Sequence, residues 1–162
     1  MKKPLLSVCL ITYNHANFIQ QAIESVLTQS VNFQWEWIIA EDFSTDGTRE
    51  ILLKYKEKYP NFIKLILQEK NVGPVKNFND LLRTPQSKYI AYFEGDDYWI
   101  DPLKLQKQVD FMESHSDYVL THSDIFIKNG CGEDVSNWRI TISKFLRKHK
   151  ETNVFKKLVK GN

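Results

Sequence analysis

Hydrophobic and polar positions along this chain alternate between two rhythms. Residues 5–12, LLSVCLIT, form a continuous apolar run of strand length, typical of a strand covered on both faces. Phe18, Ile19, Ala22, Ile23, Val26 and Leu27 then recur at helical spacing, with Asn14 or Asn17 available as N-cap. A second strand is predicted over 35–41, WEWIIAE, followed by a DFSTDGT turn and an amphipathic helix, REILLKYKEKY, stopped by Pro60. Residues 62–68, FIKLILQ, read as a third strand, and EKNVGP as a loop before a short helix around Asn77 to Leu82. A fourth strand is predicted over 88–93, KYIAYF. The next helix is opened by Asp101 as cap and Pro102 in its first turn. A fifth strand is predicted in YVLTHSDIFI, residues 118–127, before a KNGCGED turn. Strand and helix alternate, so the expected fold class is α/β: three layers, with helices on both faces of a mostly parallel central sheet.

Composition changes this picture little. The 162 residues suffice for one domain with a real core, and 42% hydrophobic with 26% charged residues is ordinary for a soluble protein. No stretch approaches the roughly 20 apolar residues of a membrane span, and the N-terminal apolar run lacks a small-residue cleavage site. Cys9 lies in a strand and Cys131 in a Gly-rich turn, which suggests neither a disulfide framework nor a zinc site and fits a reducing cytoplasm. Charge is unevenly spread. From Ile140 onward seven Lys/Arg face one acid, Glu151, while the first 139 residues hold 15 basic and 19 acidic groups, a net of −4. An acidic body with a basic tail is not a nucleic-acid footprint.

Ligands of parallel α/β sheets bind outside the carboxyl ends of the strands. Three polar clusters are predicted there: TYNH after the first strand, EDFSTDGT after the second and EGDDYW after the fourth. No GxGxxG or GxxxxGK[ST] follows the first strand, so neither a dinucleotide fold nor a phosphate-binding loop is indicated. Tyr13 and Asn14 suit a flat heterocycle, by stacking and by hydrogen bonding. Glu41 is an acceptor for a ring N–H, and Asp96 and Asp97 are hard oxygen donors suited to Mg²⁺ or Mn²⁺. A base site and a metal site with a gap between them describe a nucleoside diphosphate.

Together the stretches SVCLITYNHANFIQQAIESVLTQS, WEWIIAEDFSTDGTREIL, NVG and KYIAYFEGDDYW resemble the N-terminal, nucleotide-binding half of family 2 glycosyltransferases of the GT-A fold, from about Leu6 to Asp124. The resemblance implies that Tyr13 and Glu41 hold the base of a sugar nucleotide, with Thr12, Asn14 and Asp42 in the same nucleotide-binding set. It places Asp96 near the ribose and Asp97 on a divalent metal, Mn²⁺ or Mg²⁺. Three departures stand out. The family's Asp-Asp after the second strand is Glu41-Asp42, the usual Asp opening the metal motif is Glu94, and Lys76 and Asn79 stand in for an Arg-Asn pair that is not cleanly present. The implied reaction is metal-dependent, inverting transfer from a nucleotide sugar, a UDP-sugar first among them, to a glycan or lipid-linked acceptor in polysaccharide or cell-envelope synthesis. On this reading residues 1–139 form the nucleotide-sugar domain, and 140–162 a basic helical segment leading towards an acceptor-binding half that carries the general base. The chain alone is then expected to transfer little sugar.

Each residue also has a plainer reading. Tyr13 is otherwise a rim aromatic, Glu41 and Glu94 solvated loop acids, and Asp42 a turn stabiliser. Asp46-Gly47 reads as turn chemistry and Asp101 as a cap. Trp35 and Trp37 are packing residues, and Trp99 either packs or offers a sugar platform. His15, His115, His122 and His149 lack metal-ligand spacing. The basic tail suits a helix that packs on further protein or a second copy of the chain; the alternative is peripheral contact with an anionic membrane at its cytoplasmic face. A binding-only domain is the rival function, and a nucleotidyltransferase is disfavoured because TYNHANF lacks a glycine-rich loop.

Overall fold

The structure, a computed structural model, describes residues 3–129 and Glu133. Elements follow in the order β1 (Leu6–Thr12), α1 (Ile19–Leu27), β2 (Trp35–Glu41), α2 (Thr48–Lys58), β3 (Ile63–Leu67), α3 (Pro74–Leu82), β4 (Tyr89–Glu94) and α4 (Lys104–Ser114). The strands are parallel and lie in the order β3-β2-β1-β4.

Alternation along the central strands sorts side chains to the two faces of the sheet. Leu6, Val8 and Leu10 of β1, with Trp37 and Ile39 of β2, enter the larger core with Ile19, Ala22, Ile23 and Val26 of α1, Leu52 of α2, and Leu105 and Val109 of α4. Cys9, Ile38 and Ala40 face the other way, against Leu81 of α3. Helices therefore cover both faces, as expected of strands that read as continuous apolar runs. Each fully buried Leu, Ile or Val contributes about 1.5–3 kcal/mol relative to exposure.

The helix starts differ from expectation. Neither Asn14 nor Asn17 caps α1; the N-cap position is Phe18, without a side-chain cap. Asn14 instead takes a left-handed backbone conformation (φ 54°), and the carbonyl of His15 accepts from the amides of Phe18 and Ile19. Asp101 serves the turn just ahead of α4, its carboxylate accepting from Leu103 N–H at 2.9 Å.

No strand forms over residues 118–127. The apolar pattern is real, with Val119, Leu120, Ile125 and Phe126 all exposed, but a strand also needs a hydrogen-bonded partner, and among the described residues β4 is the last strand of the sheet. The first compact unit runs to Val119, and Leu120 onward belongs to a second. The expectations for Cys131, His149, Glu151 and the basic segment 140–162 lie outside the described residues. Among the described residues no helix is long and apolar enough to cross a membrane.

Candidate nucleotide site

The topology sets the site. β2 and β3 lie on one side of β1 and β4 on the other, so the strand order reverses between β1 and β4, where open α/β sheets leave a crevice. Thr12 closes β1 and is buried. Beside it, the chain leaving β4 turns at Gly95, whose amide donates to the Ile11 carbonyl at 3.0 Å. A Cβ at Gly95 would lie 2.6 Å from Thr12 Oγ1 and 2.8 Å from His15 Nδ1, so only glycine lets the acidic turn approach β1 this closely. His15 Nδ1 in turn lies 3.2 Å from Thr12 Oγ1. His15 belongs to the TYNH cluster at the end of β1, and the approach of Gly95 to its ring exists only once β1 and β4 are adjacent.

The loops after β1 and β2 are stitched together. Asp42 N–H donates to the Thr12 carbonyl at 3.1 Å, and Asn14 N–H to Ser44 Oγ at 2.9 Å. Asn14 Oδ1 accepts from Thr45 N–H at 2.9 Å. Asp46 joins the same loops, accepting from Ala16 N–H at 2.8 Å and from the Thr48 hydroxyl at 2.6 Å. Partial burial acts to raise the Asp46 carboxyl, but the bonds from the Thr48 hydroxyl and from the Ala16 and Thr48 amides outweigh it and hold it below the usual range.

Glu41 has no exposed surface. One oxygen accepts from Ser44 N–H and the other pairs with Arg49 Nε, whose guanidinium also donates to the Gln68 carbonyl at 2.7 Å. The expectation of a base acceptor thus meets a carboxylate already engaged at both oxygens. Asp42, also buried, accepts from Val72 N–H at 2.7 Å and Gly73 N–H at 2.9 Å, pinning the loop that opens α3. An open hollow of ~400 Å³ adjoins it, lined by Leu67, Gln68, Glu69, Lys70 and Val72. Between these acids and Ser44, Phe43 is left-handed (φ 62°), a conformation that costs a bulky residue about 1–3 kcal/mol.

Tyr13 is exposed at the rim, as a stacking residue must be. Asp96 and Asp97 are exposed in the turn after β4, where Asp97 N–H donates to the Glu94 carbonyl at 3.1 Å. Protein packed around the turn withdraws water from Asp97, and the charges of Asp96 and Glu94 add to this, so its carboxyl is raised above the usual carboxylate range. A backbone hydrogen bond from Glu94 and, to a lesser extent, His15 partly offset that effect. Among the described residues no three metal-binding side chains converge to hold an ion by themselves. This donor set fits a divalent ion such as Mg²⁺ or Mn²⁺ that takes one or two carboxylates and completes its shell with phosphate oxygens and water.

Lys76 and Asn79 are exposed on α3, with Lys76 Nζ paired to Asp80 at 2.6 Å. The buried α3 side chain tied to the strand ends is Asn77, donating from Nδ2 to the Ala40 carbonyl at 3.0 Å, while Asp80 accepts from Gln68 Nε2 just after β3 at 3.0 Å. Trp99 packs on Phe93 with centroids 4.5 Å apart and carries Lys104 Nζ 4.6 Å from its ring centroid. Packing accounts for it.

The Glycosyl transferase family 2 model matches residues 7–160. This chain belongs to that family. Among its relatives, the putative teichuronic acid biosynthesis glycosyltransferase TuaG of Bacillus subtilis is 42% identical over 114 residues, 70% of this chain and 44% of the relative. The UDP-Glc:alpha-D-GlcNAc-diphosphoundecaprenol beta-1,3-glucosyltransferase WfgD of Escherichia coli is 30% identical over 145 residues, 88% of this chain and 55% of the relative. Staphylococcus aureus TarS, solved with UDP-GlcNAc, superposes with a TM-score of 0.59 at 30% identity, over 71% of this chain and 32% of that one. The family 2 chain therefore spans between about a third and just over half of the length of these proteins, and its sheet is of the GT-A type.

Proposed function

We propose that this chain is the donor-binding part of a glycosyltransferase that takes a nucleotide sugar, UDP-sugars first among them, and passes the sugar with inversion to a glycan or lipid-linked acceptor at the cytoplasmic side of a cell envelope. The observation that carries the reading is the close approach of the acidic turn after β4 to the end of β1, where Gly95, the neighbour of Asp96, lies against His15 and against Thr12, the neighbour of Tyr13. WfgD and TarS support the donor class by what their own name and ligand state, and TuaG supports glycosyl transfer.

In this reading Tyr13 stacks on the base, Thr12 and Asn14 border the nucleotide, and the buried Glu41 and Asp42 fix the loops around it. Glu41 has no surface open to a ligand, so a uracil N3–H reaches it only if the surrounding loop moves, and Glu41 acts first as a positioning residue. Asp96 faces the ribose, and Asp97 would hold a divalent ion, Mn²⁺ or Mg²⁺. When bound, that ion supplies positive charge where the leaving diphosphate becomes more negative. Lys76 and Asn79 stand on the exposed side of α3, where they would complete the nucleotide-binding set in place of the family's Arg-Asn pair. A screen of nucleoside diphosphates by melting shift, each with and without Mn²⁺, tests the proposal. UDP should raise the melting temperature, and more so with Mn²⁺; no shift with any nucleoside diphosphate would sink it.

A further inference from the structure

We propose that Phe43 is a second aromatic contact for the base of the bound nucleotide, and so a residue that adds to nucleotide affinity; this rests on the donor-site reading above. Phe43 belongs to neither apolar core and stands 43% exposed, against 42% for Tyr13. A phenylalanine with that much ring in water and a left-handed backbone (φ 62°) is there against both its solvation and its conformational preference. Glycine or asparagine would take the same turn with little strain. The ring is nonetheless held in place. The Arg49 guanidinium carbon lies 5.2 Å from its centroid, and Arg49 is itself fixed by buried Glu41 and the Gln68 carbonyl. The residue is thus a pre-ordered flat apolar surface rather than a loop side chain free to fold away.

Its neighbourhood names the ligand. Phe43 follows Asp42 and Tyr13 follows Thr12, and these two positions are joined by the Asp42 N–H to Thr12 carbonyl bond, with Asn14 bridging to Ser44 and Thr45. Two exposed rings on two loops tied side by side, at the carboxyl ends of parallel strands, suit a planar heterocycle. A nucleobase presents such a face whatever its hydrogen-bonding edge. Arg49 then serves twice, neutralising Glu41 and setting the position of the ring that meets the base.

Titration calorimetry with UDP and with inorganic pyrophosphate, both in Mn²⁺, tests this on the wild-type chain, Phe43→Gly and Phe43→Tyr. Phe43→Gly should fold and melt cooperatively, bind UDP about 10-fold more weakly and bind pyrophosphate as the wild type does. Phe43→Tyr should keep wild-type affinity for both. Phe43→Asn serves as a second ring-free variant suited to the same backbone, with the same expected loss. Unchanged UDP affinity in both ring-free variants overturns the role of Phe43 and leaves the donor site standing. Equal losses for UDP and pyrophosphate also overturn it, since the loop and not the stack would then be at fault. A wild-type chain that binds pyrophosphate but not UDP overturns the donor-site reading, and the base contact with it.

Discussion

A carboxylate with no surface in water has to be answered inside the protein, and at Glu41 the answer is Arg49. Breaking a buried pair from one side leaves an uncompensated charge, so Arg49→Gln should lower folding stability by about 3–5 kcal/mol in urea denaturation. Glu41→Gln added to it should restore part of that loss; a single Arg49→Gln variant as stable as wild type would show that the pair has no such role. Asp46 gives the pH counterpart. Its folded carboxyl is depressed, because the hydrogen bonds from Thr48 and Ala16 outweigh the opposing effect of burial. The stabilisation is therefore present above the unfolded value of about 3.9 and is lost as pH falls through the folded one. Asp46→Ala should be about 0.5–1 kcal/mol less stable than wild type at pH 7, with the gap narrowing as the pH drops below that range. Denaturation curves at several pH values check both the size and the sign.

At the scale of elements, the strands β1 to β4 and helices α1 to α4 were legible in the sequence because apolar runs and 3.6-residue periodicity report burial directly. The fifth strand was not, since the alternation at 118–127 reports an apolar face but not whether a partner strand is present. Capping failed at α1 for a similar reason: the side chain of Asn14 is drawn to Thr45, on a loop 31 residues away. The site was readable to the same degree. Strand ends in a parallel sheet must converge, so Tyr13, Glu41 and Asp97 fall at one edge of the sheet. Arg49 and Asn77 join them only through the fold, and His15, local to the end of β1, meets the acidic turn only there. Asn77 shows how α3 is held to the sheet: its buried carboxamide donates to the Ala40 carbonyl, and losing it removes that tether. Asn77→Ala should cost about 0.5–1.5 kcal/mol. Faster amide exchange in α3 than in α1 would accompany it, and an unchanged denaturation midpoint would rule the tether out.

For the whole molecule, the fold and family are fixed by the parallel sheet, the family match over residues 7–160 and the TarS likeness, while donor and metal use are proposals built on the crevice between β1 and β4. Asp97 is where these proposals are most exposed. It sits in a turn with no core packing to lose, beside Asp96 and Glu94, and its carboxyl is raised by desolvation and by those neighbouring charges. Titration calorimetry of UDP with and without Mn²⁺, on the wild-type chain and on Asp97→Asn, is the most direct test. Mn²⁺ should tighten UDP binding to the wild type, and Asp97→Asn, with its melting temperature preserved, should lose that Mn²⁺ effect. UDP affinity indifferent to Mn²⁺ in the wild type, or equally Mn²⁺-dependent in Asp97→Asn, would contradict the metal-linked donor site.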